Sequence, residues 1–288
     1  MLNNRNNFSE GDHATKPVRI AFIGGGNMAT ALVGGLCETR QVCQPEDIHV
    51  VDLNAESLRS LAQRFGVKTG LQIDEAVGHA DVILLCVKPQ QMREVAQQLA
   101  PHLTSQLVLS IAAGIRYGDL SRWLNNYTCI VRSMPNMPAL INNGITGLVA
   151  GPGVNAAQRA LADAILSAVG TTLWLDDEAM LDPLTAVSGS GPAYVFYFIE
   201  AMQRAAEQMG FTPEQGRQLS LATFVGAAQL AAQSDEAAAV LRQRVTSKGV
   251  TTHAAITSME ASGVSEAIVK ALEAAAQRGK ELGDEFGK

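Results

Sequence analysis

The chain has 288 residues, a formal net charge of −6 and a pI of about 5.4. Apolar residues make up 47% of it, which is enough to bury a sizeable core and excludes disorder of the whole chain. No run of Lys and Arg offers the basic face that nucleic-acid binding needs, and the apolar stretches are too short to span a membrane. The length predicts two domains or one large one.

The cysteines and histidines follow no pattern of a metal site or of a disulfide framework. Cys37, Cys43, Cys86 and Cys129 are scattered without a CxxC pair, and the five histidines include no i,i+4 pair. We therefore expect no metal site and a reducing, cytoplasmic location. The Asn-rich segment 1–17 lacks the apolar stretch of a secretion signal, and we expect it to be a flexible tail.

The first half of the chain alternates β-branched runs with helical stretches. Strands are predicted at 18–23, 48–51, 67–69, 81–87, 107–111, 128–131, 145–150 and 171–175, with helices at 27–37, 55–65 and 91–99. This alternation is typical of an α/β fold with a doubly wound, largely parallel sheet. We assign residues 18–176 to a Rossmann-type dinucleotide-binding domain.

After about residue 177, Ala-rich helical segments replace the strands. Helices are predicted at 192–209, 213–233, 235–245, 251–262 and 264–286. The first of these is apolar on more than one side, so it needs more burial than a small bundle provides. We therefore assign residues 177–288 to an all-α domain and expect this domain to form a homodimer.

A glycine-rich segment with the spacing G-x-G-x-x-A follows the first strand and opens a helix. In a dinucleotide-binding turn, Gly24 makes the tight bend, Gly26 lets the backbone approach a pyrophosphate, and Ala29 allows close packing of the helix on the sheet. The helix starts at Asn27 and Met28, and its first N–H groups would face the phosphate oxygens.

An acidic residue, Asp52, follows the second predicted strand. An acid at this position accepts hydrogen bonds from the ribose 2′-OH of NAD, whereas NADP favours an arginine, for which Arg59 is the nearest candidate. Alternatively, Asp52 merely caps the helix that starts near Ala55. The sequence leaves the choice between NAD and NADP open.

Six segments resemble, in order and spacing, those of the pyrroline-5-carboxylate reductase family. They are residues 23–29, 87–90, 110–115, 132–136, 188–194 and 245–252, and the resemblance covers the chain from Val18 onward. It implies reduction of 1-pyrroline-5-carboxylate to L-proline, the last step of proline biosynthesis, with NADPH or NADH as the cofactor. It also implies a homodimer through the helical domain, which can assemble further into a decamer.

The resemblance implies a set of site residues. Those expected to bind the cofactor are Gly24, Gly26, Asn27, Met28, Asp52, Val87, Lys88, Pro89, Ala112, Ala113 and Gly114. In the substrate loop, Ser247 and the amides of Gly249, Val250 and Thr251 would hold the carboxylate. Thr252 would be the catalytic residue, its hydroxyl hydrogen-bonded to the ring nitrogen, and His253 is expected to point elsewhere.

The sequence departs from the family pattern at two of these places. Val250 stands where the substrate loop usually has a second glycine, and Ile73 stands where many members have an asparagine near the adenosine. We expect both changes to bear on affinity rather than on the class of reaction.

Plainer interpretations stay open at several positions. Ser247 and Thr251 could be helix caps, Lys88 a solvated loop charge, and residues 188–192 a structural turn into the long helix. Another NAD(P)-dependent imine or hydroxyacid reductase would share the two-domain plan, but the β-hydroxyacid type places a catalytic lysine on that helix, which has none here. A non-catalytic dinucleotide sensor would have no need of a carboxylate-binding loop.

Overall fold

The computed structural model describes residues 17–287, so the tail expected over residues 1–17 lies, except for Pro17, outside the described residues. One sheet contains eight strands, each of which overlaps a predicted strand. They are β1 (Ile20–Ile23), β2 (Ile48–Val51), β3 (Lys68–Gly70), β4 (Val82–Leu85), β5 (Leu107–Ser110), β6 (Ile130–Met134), β7 (Gly144–Ala150) and β8 (Gly170–Trp174).

The strands are arranged in the order β3-β2-β1-β4-β5-β6-β7-β8. Neighbours from β3 to β6 are parallel, β7 runs antiparallel to β6, and β8 runs parallel to β7. The order of the strands reverses between β1 and β4. The loops that follow these two strands therefore border the crevice in which doubly wound sheets bind ligands.

Six helices accompany the sheet: α1 (Asn27–Thr39), α2 (Ala55–Phe65), α3 (Glu75–Gly78), α4 (Pro89–Leu99), α5 (Tyr117–Trp123) and α6 (Ala156–Leu166). Successive residues of a strand point to opposite faces, so Phe22 and Leu84 join the core on one face while Ile23 and Leu85 join the core on the other. Burial on both faces explains why these strands are apolar throughout. The predicted Rossmann-type architecture is confirmed.

The second part of the chain is helical. It contains α7 (Leu181–Leu184), α8 (Gly191–Gln208), α9 (Pro213–Ala232), α10 (Ala238–Arg244), α11 (Thr251–Ala261) and α12 (Val264–Phe286). Pro213 is the first residue of its helix and Pro192 the second residue of α8, where a missing N–H costs no hydrogen bond. The predicted boundary at residue 177 falls between β8 and α7, and the division into two domains there stays a prediction.

The segment that enters α8, expected as a turn at residues 188–192, is helical. Thr185–Gly189 forms a π-helical turn, in which the Ser190 amide donates to the Thr185 carbonyl at 2.8 Å. Ser190 itself has helical angles, with φ −85° and ψ −19°. The chain keeps a helical path here, with one residue more than an α-turn holds. That this segment is a structural entry into the long helix stays a prediction.

The helical part buries few of its own residues. In this single chain α8 buries Ile199, α9 buries Gly216 and Ser220, and α10 and α11 bury none. Large apolar side chains such as Phe196 and Tyr197 are 59% and 71% exposed. Among the helices of residues 17–287, none is at once long and apolar enough to cross a membrane.

Candidate dinucleotide-binding edge and substrate loop

The glycine-rich turn after β1 has a backbone that requires glycine at its first position. Gly24 has φ +106°, and a Cβ there would lie 2.7 Å from the Cys86 carbonyl oxygen at the end of β4. Its amide donates to the Val51 carbonyl of β2 at 2.7 Å. The turn is therefore packed between the ends of its two neighbouring strands, at the point where the strand order reverses.

The turn opens onto the N-terminus of α1. Gly26 is the N-cap residue and makes no side-chain cap hydrogen bond, and both Gly26 and Asn27 are exposed. A Cβ added at Gly26 would meet nothing within 4 Å, so the approach to the first helical N–H groups is open. Unpaired N–H groups and the positive end of the helix dipole suit a phosphate group, so the residues present fit a dinucleotide.

The Asp52 carboxylate stabilises this turn by hydrogen bonds. Its Oδ2 accepts a hydrogen bond from the Gly25 amide at 2.6 Å, and its Oδ1 accepts one from the Asn54 amide at 2.8 Å. The alternative that Asp52 caps α2 is wrong. The cap is Asn54, whose side-chain oxygen accepts from the amides of Glu56 and Ser57 at 3.0 and 3.2 Å.

A cleft of about 390 Å³ lies between the start of α1 and one face of α2. Ser57, Ser60 and Arg64 line it together with Gly26 and Asn27. The Ser57 hydroxyl donates to the Gly25 carbonyl at 2.6 Å, which fixes α2 to the glycine-rich turn. The sequence analysis missed Ser57, Ser60 and Arg64. Their i, i+3, i+7 spacing on the helix that follows the second strand and its acid, Asp52, was a usable signal.

The ends of β4 and β5 lie along the same edge of the sheet. Val87 is partly buried, Lys88 is exposed as the N-cap residue of α4, and Pro89 is the first residue of that helix. Burial raises the pKa of the Cys86 thiol, which keeps it in the neutral, apolar form. The interpretation of Cys86 as a small hydrophobe fits this environment.

The three loop residues after β5 have different surroundings. Ala112 is buried, whereas Ala113 is partly exposed at the sheet edge. Gly114 has φ +73°, and a Cβ there would lie 3.1 Å from the Phe286 ring at the end of α12. Gly114 therefore faces the last helix, so in this structure its glycine serves the contact between the sheet and the helical part. Ile73, by contrast, packs against the core of the sheet.

Asn136 connects the end of β6 to the π-helical turn. Its amide nitrogen donates to the Ser188 hydroxyl at 3.2 Å, and its amide oxygen accepts from the Ile145 amide at 2.9 Å. Asn136 is 9% exposed, as expected for a side chain enclosed by hydrogen bonds. Nearby, a Cβ on Gly189 would lie 2.8 Å from Met134 Cε, so the turn packs directly on this end of the sheet.

A partly buried ion pair connects the helical part to β6, a few residues before Asn136. Arg132 of β6, with 8% of its side chain exposed, donates to Glu178 at 2.6 Å, and Glu178 also accepts from the Tyr117 amide at 2.6 Å. Asp182 of α7 lies beside them in a cavity of about 750 Å³. Burial raises the pKa of the Asp182 carboxyl, an effect that Arg132 opposes and does not cancel.

The predicted substrate loop follows α10 and ends in the first two residues of α11. Ser247, Gly249, Val250 and Thr251 are exposed and Thr252 is partly buried, while the side chain of the following His253 is exposed. The N-cap position of α11 is Val250, with no side-chain cap hydrogen bond, so Ser247 and Thr251 are not caps of this helix. The hydrogen bonds described for the loop stay within residues 242–254.

The valine at position 250 fits the loop backbone. Gly249 has φ +83°, in the region that favours glycine, whereas Val250 has φ −106° and ψ 178°, which a β-branched residue adopts readily. The departure from the usual pair of glycines therefore brings no backbone strain. Its side chain is half exposed at the mouth of the loop.

Two family models match the chain. Residues 178–282 match pyrroline-5-carboxylate reductase dimerisation, and residues 19–114 match an NADP oxidoreductase, coenzyme F420-dependent. The boundaries correspond to the helical part and to the strands β1–β5 with the turns described above.

Curated proteins and solved structures agree with these matches. A pyrroline-5-carboxylate reductase of Pseudomonas aeruginosa is 48% identical, over 94% of this chain and 98% of its own length. A reductase structure of that name from Coxiella burnetii superposes with a TM-score of 0.87 at 40% identity, over 93% of this chain and 99% of that one. The Plasmodium falciparum enzyme, solved with NADP bound, gives 0.82 at 27% identity, over 92% and 98%. The chain belongs to the pyrroline-5-carboxylate reductase family.

Proposed function

We propose that this chain reduces 1-pyrroline-5-carboxylate to L-proline with NADH or NADPH, as the last step of proline biosynthesis. The observation that carries the proposal is the Gly24–Gly26 turn, which opens onto an uncapped helix N-terminus where the strand order reverses. Membership of the pyrroline-5-carboxylate reductase family identifies the compound that the bound cofactor would reduce. The reduced nicotinamide supplies the hydride, and the protein supplies binding and orientation.

The loop Ser247–Thr252 is the proposed substrate site. A carboxylate needs hydrogen-bond donors, and the start of α11 presents N–H groups that no side chain caps. The Val250 amide is directed at the Ser247 carbonyl at 3.4 Å, so the amides of Gly249 and Thr251 are the better placed donors, with the Ser247 hydroxyl beside them. Thr252 would hydrogen-bond the ring nitrogen and orient the C=N bond for attack.

We assign no side chain the role of general acid. A cyclic imine can take its proton from solvent before it binds, and the neighbouring His253 is an exposed side chain. The rate should therefore fall at high pH as the iminium form of the substrate disappears. A pH profile that shifts when His253 is replaced would contradict this assignment.

The first test is oxidation of NADH or NADPH, followed by absorbance, with pyrroline-5-carboxylate as substrate. Oxidation of neither cofactor would refute the proposed reaction. The second test is Thr252→Ala, which should lower turnover or substrate binding and leave the dissociation constant of the cofactor unchanged. His253→Ala is the matched control in the same turn and should behave like the parent. An equal loss of cofactor affinity in Thr252→Ala would contradict the assignment of this loop to the substrate.

The helical part is the proposed dimer interface, because its exposed apolar side chains need a partner surface. Phe196 and Tyr197 lie adjacent on α8 and are exposed in the single chain. Light scattering should show at least a homodimer for the parent, and it would also reveal a decamer built of dimers. Phe196→Asp should shift the mass toward the monomer, and an unchanged mass would exclude this face of α8 as the dimer interface.

A cytoplasmic location is proposed too, since a reducing compartment keeps the four free cysteines as thiols.

A further inference from the structure

The carboxyl end of α12 lies against the loop that follows β5. A Cβ added at Gly114 would lie 3.1 Å from the Phe286 ring and 3.2 Å from the Cβ of Leu282. The Phe286 side chain also packs against the same core as Ala112 and Ile115, which lie on the two sides of Gly114. The last helix of the chain therefore covers a loop that is expected to bind the cofactor.

Polar contacts hold this end of α12 in place. Arg116, which directly follows the loop, donates to the Lys280 carbonyl at 3.0 Å and pairs with Asp284 at 2.7 Å. Arg122 of α5 donates to the Gly287 carbonyl at 2.8 Å. Cations suit the carboxyl end of a helix, where the last carbonyl groups lack partners within the helix. The last turns of α12 are thus bound by α5 and by the residue before it.

Two glycines make this close approach possible. Gly283 and Gly287 are four residues apart, so they lie on the same side of the end of α12. A Cβ on Gly283 would lie 2.8 Å from the Arg116 Nε, and a Cβ on Gly287 would clash with the Asp119 carboxylate. Larger residues would push the helix end away, so the contact depends on these two positions.

We propose that Phe286 is a positioning residue that holds the loop 112–114 in the conformation that binds the nicotinamide cofactor. This inference rests on the proposed function, in which that loop contacts NADH or NADPH. Gly114 has φ +73°, and glycine has more backbone freedom than any other residue, so the loop needs an outside contact to keep one conformation. The Phe286 ring supplies that contact and keeps the partly exposed Ala113 at the sheet edge.

A merely stabilising role for Phe286 predicts a different result. If the ring only added to the stability of the core, an equal truncation elsewhere in that core would change cofactor binding as much. Leu103 offers this comparison, because it is also partly buried and packs against the same core. It lies four residues before β5 begins, at the opposite edge of the sheet from Gly114. Leu103→Ala is therefore the matched control.

The experiment is titration of the full chain with NADH and with NADPH in the absence of substrate, followed by nicotinamide fluorescence, at one fixed protein concentration. Phe286→Ala should raise both dissociation constants at least about fivefold, since binding must then order at least one freed backbone residue. Phe286→Leu keeps an apolar side chain on Gly114 and should recover most of the affinity, and Leu103→Ala should bind like the parent. Phe286→Val takes the place of the alanine variant if that variant does not fold.

Hydrogen exchange of the cofactor-free chain supplies an independent readout. The peptide of residues 111–116 should exchange at least about fivefold faster in Phe286→Ala and at the parent rate in Leu103→Ala. Unchanged dissociation constants or unchanged exchange in Phe286→Ala would overturn the inference and leave the proposed function standing. An equal loss of cofactor affinity in Leu103→Ala would also overturn it. Binding of neither cofactor by the parent would refute the proposed function, and the inference with it.

Discussion

The ion pair between the buried Arg132 and the partly exposed Glu178 should contribute to stability, and its two members should contribute unequally. Arg132 has 8% of its side chain exposed and Glu178 has 34%, at a separation of 2.6 Å. Glu178→Gln leaves a guanidinium buried without its counter-ion. Arg132→Met leaves a carboxylate that solvent still reaches and that the Tyr117 amide still hydrogen-bonds.

The magnitude follows from this burial. Removing one member of a fully buried pair costs about 3–5 kcal/mol, because the remaining charge is left uncompensated. Glu178 is a third exposed and Asp182 lies near Arg132, so we expect Glu178→Gln to cost about 2–3 kcal/mol. Arg132→Met should cost about 1 kcal/mol. The double variant should cost less than the sum of the two, because no buried charge is left alone.

The measurement is the free energy of unfolding in urea, at one fixed protein concentration because subunit association contributes. Glu236→Gln is the control: its pair with Arg244 has the same 2.6 Å separation but leaves 65% of the arginine exposed, so the cost should stay below about 0.5 kcal/mol. A change below about 0.5 kcal/mol in Glu178→Gln would refute the reasoning. So would a larger loss in Arg132→Met than in Glu178→Gln.

Two further predictions concern backbone strain and pH. Gly24→Ala should cost at least about 2 kcal/mol, since it combines left-handed backbone strain with a Cβ 2.7 Å from Cys86 O. Gly66→Ala, at φ +73° with nothing within 4 Å, should cost about 1 kcal/mol, and equal costs in urea unfolding would contradict this account. Burial raises the pKa of the Asp182 carboxyl, so ionising this group lowers the free energy of unfolding. The loss is absent below the unfolded pKa of about 4, grows as pH rises toward the folded pKa and is complete above it. Asp182→Asn should thus be more stable than the parent at pH 7, with the advantage vanishing toward pH 4, and a deficit at pH 7 would refute the sign.

Strong local signals predicted the elements that the structure confirms without adjustment. β2, α2 and α12 have the predicted bounds because apolar residues recur at one spacing between clear breaks. The helix α6 was missed although Asn155 and Gln158 form a capping box at its start. The short helix α5 offered less, since it spans seven residues and includes Gly118.

Other features depend on contacts that a pattern does not contain. The π-helical turn has its extra residue where Gly189 packs on Met134, a contact between distant segments. The role of Asp52 as a brace depends on how closely β1 and β2 set two turns together, and local capping rules pointed to the wrong residue. The direction of β7 was open to inference, because the segment from Pro135 to Asn143 is too short for a parallel crossover.

The scarcity of buried residues in α9, α10 and α11 has a consequence for how this protein folds. Helices without a core of their own gain little from propensity alone, so their order must come largely from the surfaces they meet on assembly. Folding of the second half and association of subunits then become one equilibrium. The midpoint of thermal unfolding should rise with protein concentration, and dilution should loosen the loop Ser247–Thr252 before the sheet. Through this link, the subunit concentration should set how much of the protein has the proposed substrate loop in order.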